Sequence, residues 1–232
     1  KVIYDLLFKS SASALHKLAK DPRFVGGEIG MMGGLHTWQR DMRYHPHVHF
    51  IVPGGGLSPE HTKWLPSNPA FLVPVEALSP IFRAKFRDAL KKTYLFDSVP
   101  AKVWQKDWVV HCKPVGNCDS ALKYLAPYVY RVAITNNRIE KLENDQVTFR
   151  FKNGQTDQWE TATLSAFDFI HRFLQHVVPK GFIKIRYYGF MAPNKKNLLA
   201  VAKYLLGATD VSEVIPQAHG QYICPHCGAK LL

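Results

Sequence analysis

The stretch that most constrains the fold is residues 44–52, which read YHPHVHFIV. Alternate residues of a β-strand share a face, so the pattern predicts a strand with His47 and His49 on one side and Val48 in the core. At about 3.3 Å per residue the two histidines lie roughly 6.6 Å apart and can bind one cation. The alternative is a histidine-rich surface strand that binds no metal.

A metal site needs more than two ligands, and we predict that His36 is the third. If the chain turns at residues 41–42, His36 and His47 are equidistant from the turn and face each other, with Cβ atoms about 5 Å apart. His45 is a rival that shares the face but lies about 13 Å along the strand from His49. The weaker candidates are Gln39 and Asp41.

The three histidines alone do not identify the metal. Neutral imidazoles suit zinc, but a set with open coordination positions also holds Mg²⁺ or Mn²⁺, whose task is to polarise a phosphate. The choice between these ions depends on a second group of residues further along the chain.

Two tyrosines form that second group, within residues 123–131 (KYLAPYVYR). A helix that begins near residues 119–120, where Asp and Ser are good N-caps, would place Tyr124 and Tyr128 one turn apart on one face. A tyrosine phenolate can attack a phosphodiester and form a covalent phosphotyrosine. Without the histidine strand, tyrosines of the core or its rim would be the simpler interpretation. Pro127 removes a helical hydrogen bond and predicts a kink between the two tyrosines.

Together these motifs resemble the two-tyrosine HUH rolling-circle transposases of the IS-ninety-one insertion-sequence family. The matching segments are residues 36–38, 44–49, 51–56, 124–126, 131–134, 179–182 and 188–190. The resemblance implies an α+β fold, with an HUH-endonuclease-like central antiparallel sheet and flanking helices. It places the catalytic domain at residues 1–215 and leaves residues 216–232 as a C-terminal segment.

The resemblance also implies a mechanism. Members of this family nick one DNA strand at an element terminus, keep the 5′ end as a phosphotyrosine and transfer the strand. Tyr124 and Tyr128 would be the nucleophiles, and His36, His47 and His49 would hold Mg²⁺ or Mn²⁺. No nucleotide cofactor is expected, and the sequence has no G-x4-G-K-S/T phosphate-binding motif. The alternatives are a domesticated terminus-binding protein that no longer cuts, or a replication initiator or relaxase with the same chemistry.

The charge of the chain fits a nucleic-acid enzyme. Thirty Lys and Arg against eighteen Asp and Glu give a formal net charge of +12, which favours a polyanionic partner. Basic residues interleaved with aromatic residues favour single-stranded or hairpin DNA, whose bases stack on aromatic rings. The predicted phosphate contacts are Lys113, Arg131 and Arg186. We find no apolar stretch long enough for a membrane span and no signal peptide, so we expect a cytoplasmic protein associated with the nucleoid when it acts. The oligomeric state stays open.

Cys224 and Cys227 have the C-x2-C spacing of half a zinc knuckle, so the C-terminal segment is a possible partial Zn²⁺ site. The residues that could complete it are His219, His226, Cys112 and Cys118. The alternative is a frayed tail with two free thiols. Because the chain starts at Lys1 within an apolar run, we expect a fragment of a longer protein.

Periodicity and turn residues predict the remaining elements. The expected helices span residues 3–20, 79–93, 165–178 and 195–206. The expected strands span residues 107–111 and 182–188, with one hairpin at 30–52 and another at 146–163 that turns at 153–154. Residues 58–74 contain several prolines and predict an irregular connection.

Overall fold

The computed structural model describes residues 1–116, 119–120, 123 and 133–208. The helices are α1 (Val2–Ala19), α2 (Val75–Leu90), α3 (Ala166–Leu174) and α4 (Lys196–Leu205). The strands are β1 (Gly30–Trp38), β2 (Tyr44–Ile51), β3 (Gly55–Leu57), β4 (Trp64–Pro66), β5 (Ile139–Glu143), β6 (Gln146–Lys152), β7 (Trp159–Ser165) and β8 (Ile185–Gly189). Short 3-10 turns occupy Phe96–Ser98, Ala101–Trp104 and Asn136–Arg138. None of the described helices is long and apolar enough to cross a membrane.

The histidines lie on a three-stranded antiparallel sheet with the strand order β2-β1-β8. The predicted hairpin is confirmed: His36 pairs with His47, and Gly34 pairs with His49. The register shifts by a bulge between His36 and Trp38, just before the turn. Helix α1 was also predicted, and its observed bounds differ from the expected ones by a single residue at each end.

Helix α1 covers one face of this sheet and leaves the histidines on the other. Phe8 of α1 is fully buried and packs with Leu35, Phe50 and Tyr188, whose side chains lie on the face opposite His36. Gly33 lies beneath this contact, and a Cβ there would be 2.6 Å from the Phe50 ring. A glycine at this position therefore lets α1 approach the sheet closely.

A second antiparallel sheet, with the order β5-β6-β7, holds the tip of the histidine hairpin. Met42, in the hairpin turn, is fully buried in a cluster with Ile134 and Phe149, and Phe169 of α3 packs against this cluster. Arg138 donates a hydrogen bond from Nη2 to the carbonyl oxygen of Arg40 in the same turn. The second sheet and α3 thus anchor the turn that connects the two histidine-bearing strands.

Two of the expected segments are wrong in detail. Residues 58–74 are not wholly irregular, because β4 pairs with β3 to form a small antiparallel ladder. Helix α2 begins at Val75, after Pro74, so Ser79 and Pro80 lie inside it rather than at its start. Ser79 does not cap the helix, since its hydroxyl donates to the carbonyl of Trp108 at 2.6 Å and accepts from the Trp108 amide at 3.1 Å.

The predicted strand at residues 107–111 is also wrong, because this described segment forms no ladder and Trp108 bonds to the Ser79 side chain instead. The hairpin of β6 and β7 is confirmed, but its loop is wider than the expected turn and closes with a bond from Asn153 N to Gln158 O.

The last elements end earlier or begin later than expected. Helix α3 is capped by Ser165, whose hydroxyl accepts from the Asp168 amide at 3.0 Å, and it ends at Leu174. Strand β8 begins at Ile185 because Phe182 instead packs against α1. The described residues therefore form a mixed α and β structure with antiparallel sheets, whereas residues 216–232 of the predicted C-terminal segment lie outside the described part.

Candidate metal centre

Three histidines converge on the sheet face that α1 leaves open. His36, His47 and His49 each offer a ring nitrogen, and these nitrogen atoms all lie within 4.8 Å of one another. The His49 ring centroid lies 4.8 Å from that of His36 and 4.8 Å from that of His47. His36 is only 4% exposed, so the cluster is built into the sheet rather than spread on its surface.

The hairpin register explains this convergence. His36 and His47 are cross-strand partners, and His49 follows two residues later on the same face of β2. The rival ligand His45 lies outside the cluster and is exposed. Its backbone oxygen instead receives a hydrogen bond from Nδ1 of His47 at 2.7 Å. A carbonyl can only accept, so Nδ1 of His47 carries the proton and Nε2 keeps its lone pair for a metal.

The two weaker candidates lie at the hairpin turn. The backbone N–H of Gln39 donates to the carbonyl of Arg43, beyond the bulge that follows His36. Asp41 forms an ion pair with Arg43 at 2.5 Å and lies outside the histidine group.

Burial disfavours the charged forms of the two histidines on β2. Burial, followed by the neighbouring His47 and His36, lowers the pKa of His49 to about 4. Burial also lowers the pKa of His47, although the hydrogen bond to the His45 carbonyl opposes this effect. Only neutral imidazoles donate a lone pair to a metal, so the donor set fits a divalent cation. The identity of the ion does not follow from three imidazoles alone.

Two further side chains, Trp38 and His176, contact the histidine cluster or its strand, and the sequence analysis assigned neither of them a role. The Trp38 ring stacks on His36, with centroids 4.8 Å apart and planes 14° apart. His176, which follows α3, is 6% exposed. Its ring nitrogens lie 3.3 Å from the Thr37 hydroxyl and 3.0 Å from the Met42 carbonyl. The position of Trp38 two residues after His36 was a usable signal, but nothing in the sequence links His176 to the hairpin.

The predicted DNA-contact residues have different surroundings. Lys113 is exposed in a segment without regular secondary structure. Arg186 lies on the α1 face of the sheet, where it pairs with Asp5 at 2.5 Å and stacks over Phe8 at 4.5 Å. This geometry gives Arg186 a part in holding α1, and its contact with DNA stays a prediction.

The remaining predicted site residues lie outside the described part of the chain. They are Tyr124, Tyr128, Arg131, Cys224 and Cys227. Three described residues near the tyrosines, at positions 119, 120 and 123, are helical.

Three convergent, largely buried histidines on one sheet face define the chain as a candidate metal-binding protein. Residues 30–198 match the family profile Y2_Tnp, described as "Putative transposase". This range includes the whole sheet and all three histidines. The chain belongs to this transposase family.

Two curated relatives extend over more of the chain. It is 38% identical to "Putative transposase y4qJ" of Sinorhizobium fredii over 95% of its own length and 61% of that protein. It is 30% identical to "Transposase for insertion sequence element IS801" of Pseudomonas savastanoi pv. phaseolicola, over 82% of its own length and 49% of that protein. The chain therefore spans about half to three fifths of these relatives. No solved structure matches it.

Proposed function

We propose that this chain carries the catalytic centre of a rolling-circle transposase, which nicks a single DNA strand through a 5′-phosphotyrosine and then transfers that strand. The observation that carries the proposal is the convergence of His36, His47 and His49, whose ring nitrogens lie within 4.8 Å of one another on one sheet face. It lies within the part of the chain that matches the transposase family. A relative named as the transposase of an insertion sequence supports the biological context.

The three imidazoles would hold Mg²⁺ or Mn²⁺ and leave positions for oxygen ligands. Bound there, the cation would polarise the scissile phosphate and stabilise the negative charge that develops on it. His47 is prepared for this task, because its bond to the His45 carbonyl fixes the ring and points the Nε2 lone pair away from the backbone.

Tyr124 and Tyr128 are the proposed nucleophiles. The phenol of one tyrosine loses its proton, and its oxygen forms a bond to the phosphorus. The bond from phosphorus to the 3′ oxygen breaks, and that oxygen leaves with the electron pair and takes up a proton as a 3′ hydroxyl. The phosphotyrosine conserves the bond energy, so the later attack of a 3′ hydroxyl can reseal a strand without a nucleotide cofactor. Two tyrosines would allow one to hold a 5′ end while the other attacks a second strand.

The test is formation of a covalent adduct with DNA. Labelled single-stranded oligonucleotides that tile both flanks of the gene for this chain serve as substrates, because a transposase acts at the ends of its own element. With Mn²⁺ we expect a band that resists SDS, and peptide mapping that places the DNA on Tyr124 or Tyr128.

Each single Phe variant should retain some adduct, and the double variant should form none. Tyr94→Phe is the matched control, since Tyr94 is 84% exposed and lies outside the tyrosine pair. An adduct that persists in the double variant would refute the nucleophile assignment. DNA binding without any adduct would instead favour a terminus-binding protein that does not cut.

A further inference from the structure

The second sheet has one packed face and one open face. On β6, Val147 and Phe149 are buried, whereas Thr148, Arg150 and Lys152 alternate with them and point away from the core. On β7 the inward residues are Ala162 and Leu164. We call the opposite side the outer face, and its residues on these two strands are Gln146, Thr148, Arg150, Lys152, Trp159, Thr161, Thr163 and Ser165.

Trp159 is the unusual residue on this outer face. Its side chain is 59% exposed, although tryptophan is normally among the more buried residues. It lies directly across from Lys152 in the ladder, and the Arg150 guanidinium lies 5.3 Å from the centre of its ring. The exposed indole is thus flanked by cations on the neighbouring strand.

The charge of the outer face is positive on β6 and β7. On β5, Lys141 and Glu143 lie opposite the outer-face residues of β6 and cancel each other in an ion pair at 2.7 Å. On β6 and β7 the charged residues of the outer face are Arg150 and Lys152, and none of its described residues on these strands is a carboxylate. Lys152 bonds to Asp157 in the adjoining loop at 2.6 Å. Arg150, in contrast, has no carboxylate partner among the described residues and bonds only weakly to the Asn137 carbonyl at 3.5 Å. The face therefore offers one cation that is not neutralised beside an exposed aromatic ring.

We propose that the outer face binds single-stranded DNA, with a base stacked on Trp159 and an adjacent phosphate held by Arg150. An aromatic ring that accepts a base, together with cations that follow the backbone, is the combination by which proteins hold single strands. A paired duplex keeps its bases stacked on one another, so it cannot use the indole in this way. Thr161, the next residue on this face of β7, adds a hydroxyl beside Trp159, whereas Thr148 and Thr163 bond to each other at 2.9 Å further along the ladder.

The position of this face relative to the histidines suggests which part of the DNA it holds. The second sheet anchors the tip of the histidine hairpin through Met42 and through the bond from Arg138 to Arg40. An ion pair between Arg40 and Asp157, at 3.7 Å, joins that tip to the loop that precedes Trp159. The outer face would thus hold the strand that flanks the scissile phosphate rather than the phosphate itself. Only this last assignment rests on the proposed function.

The test compares the affinities of Trp159 variants for a labelled oligothymidine and for a blunt duplex of equal length, by fluorescence anisotropy. Loss of one stacked base costs about 1–3 kcal/mol, so Trp159→Ala should weaken single-strand binding about fivefold to a hundredfold. Trp159→Tyr should retain most of the affinity for single strands. The single variant Arg150→Glu should also weaken single-strand binding, because it replaces a cation by a carboxylate. Phe167→Ala is the matched control, because Phe167 is a 78% exposed aromatic residue on α3 rather than on the outer face.

Unchanged single-strand affinity in Trp159→Ala would overturn the proposal. An equal loss of affinity for the duplex would also overturn it. So would a Trp159→Ala variant that loses self-association but keeps its affinity for DNA, because the outer face would then bind a second copy of the chain. Adduct formation is measured separately on the same variants. Adducts without a Trp159 effect on binding refute this inference and leave the cleavage proposal intact. Trp159-dependent binding of single strands without adducts supports this inference and counts against the cleavage proposal.

Discussion

The Thr37 hydroxyl lies 3.3 Å from Nδ1 of His176, although the two residues are 139 positions apart in the sequence. On its other side, Nε2 of His176 lies 3.0 Å from the carbonyl of Met42. That carbonyl can only accept, so Nε2 carries the proton and Nδ1 accepts from the Thr37 hydroxyl. Burial lowers the pKa of His176, which favours this neutral tautomer. The buried His176 ring thus links Thr37, the residue after His36, to Met42 in the hairpin turn.

We expect His176 to act as a positioning residue for the metal ligands. His176→Ala should weaken Mn²⁺ binding about tenfold, the scale on which outer residues tune metal sites. His176→Gln, which retains one hydrogen-bonding arm, should recover part of the affinity. Calorimetric titration of each purified variant with Mn²⁺ measures these affinities. His171→Ala is the control, since His171 is exposed on α3 and its side chain contacts Gln175 and Phe167. Equal affinities in all four proteins would contradict the positioning role.

The metal-free protein should lose stability as the pH falls from about 6.5 to about 4. His49 has a pKa of about 4 in the folded chain and about 6.5 when unfolded, so in this window the unfolded chain binds more protons. The free energy of unfolding therefore decreases as the pH falls, and His49 contributes no further decrease below pH 4. Urea unfolding in EDTA at several pH values measures the slope.

The variant His49→Gln should show a shallower slope over the same window, because it removes one of the groups whose pKa is lowered. The exposed His111 provides the control variant His111→Gln, for which we expect the wild-type slope. A slope in His49→Gln as steep as that of the wild type would count against the burial of a neutral His49.

Gly33→Ala should destabilise the fold by about 1–3 kcal/mol, the usual cost of adding a methyl group to a packed core. The new Cβ would lie 2.6 Å from the Phe50 ring and 3.2 Å from the Phe8 ring, so α1 or the sheet must move. Gly154→Ala is the control, since no atom lies within 4 Å of its added Cβ. Urea unfolding measures both variants, and equal stabilities would contradict the close approach of α1.

The histidine cluster could be predicted from sequence because it is local. Strand alternation places His47 and His49 on one face, and the symmetry of a short hairpin places His36 opposite. The bulge before Trp38 does not disturb this pairing, since it falls between the cluster and the turn.

Longer-range features could not be predicted in this way. The bonds of His176 and the burial of Met42 depend on how α3 and the second sheet pack, which no local pattern specifies. The expected start of α2 at residue 79 is wrong, because the helix begins at Val75 and the Ser79 hydroxyl binds the backbone of Trp108. No local pattern reveals this tertiary contact.

The central claim is that His36, His47 and His49 hold the ion that DNA cleavage requires. His47→Ala and His49→Ala each remove one ligand from a cluster whose nitrogen atoms lie within 4.8 Å. The matched control is His45→Ala, because it removes an exposed ring outside the cluster and keeps the backbone carbonyl that His47 binds.

The most direct measurement combines Mn²⁺ titration with adduct formation on single-stranded DNA for these three variants and the wild type. The wild type and His45→Ala should bind Mn²⁺ and form adducts that disappear in EDTA. His47→Ala and His49→Ala should bind no measurable Mn²⁺ and form no adduct, while their affinity for DNA stays close to that of the wild type. Wild-type metal binding and adduct formation in both cluster variants would contradict the assignment of this site.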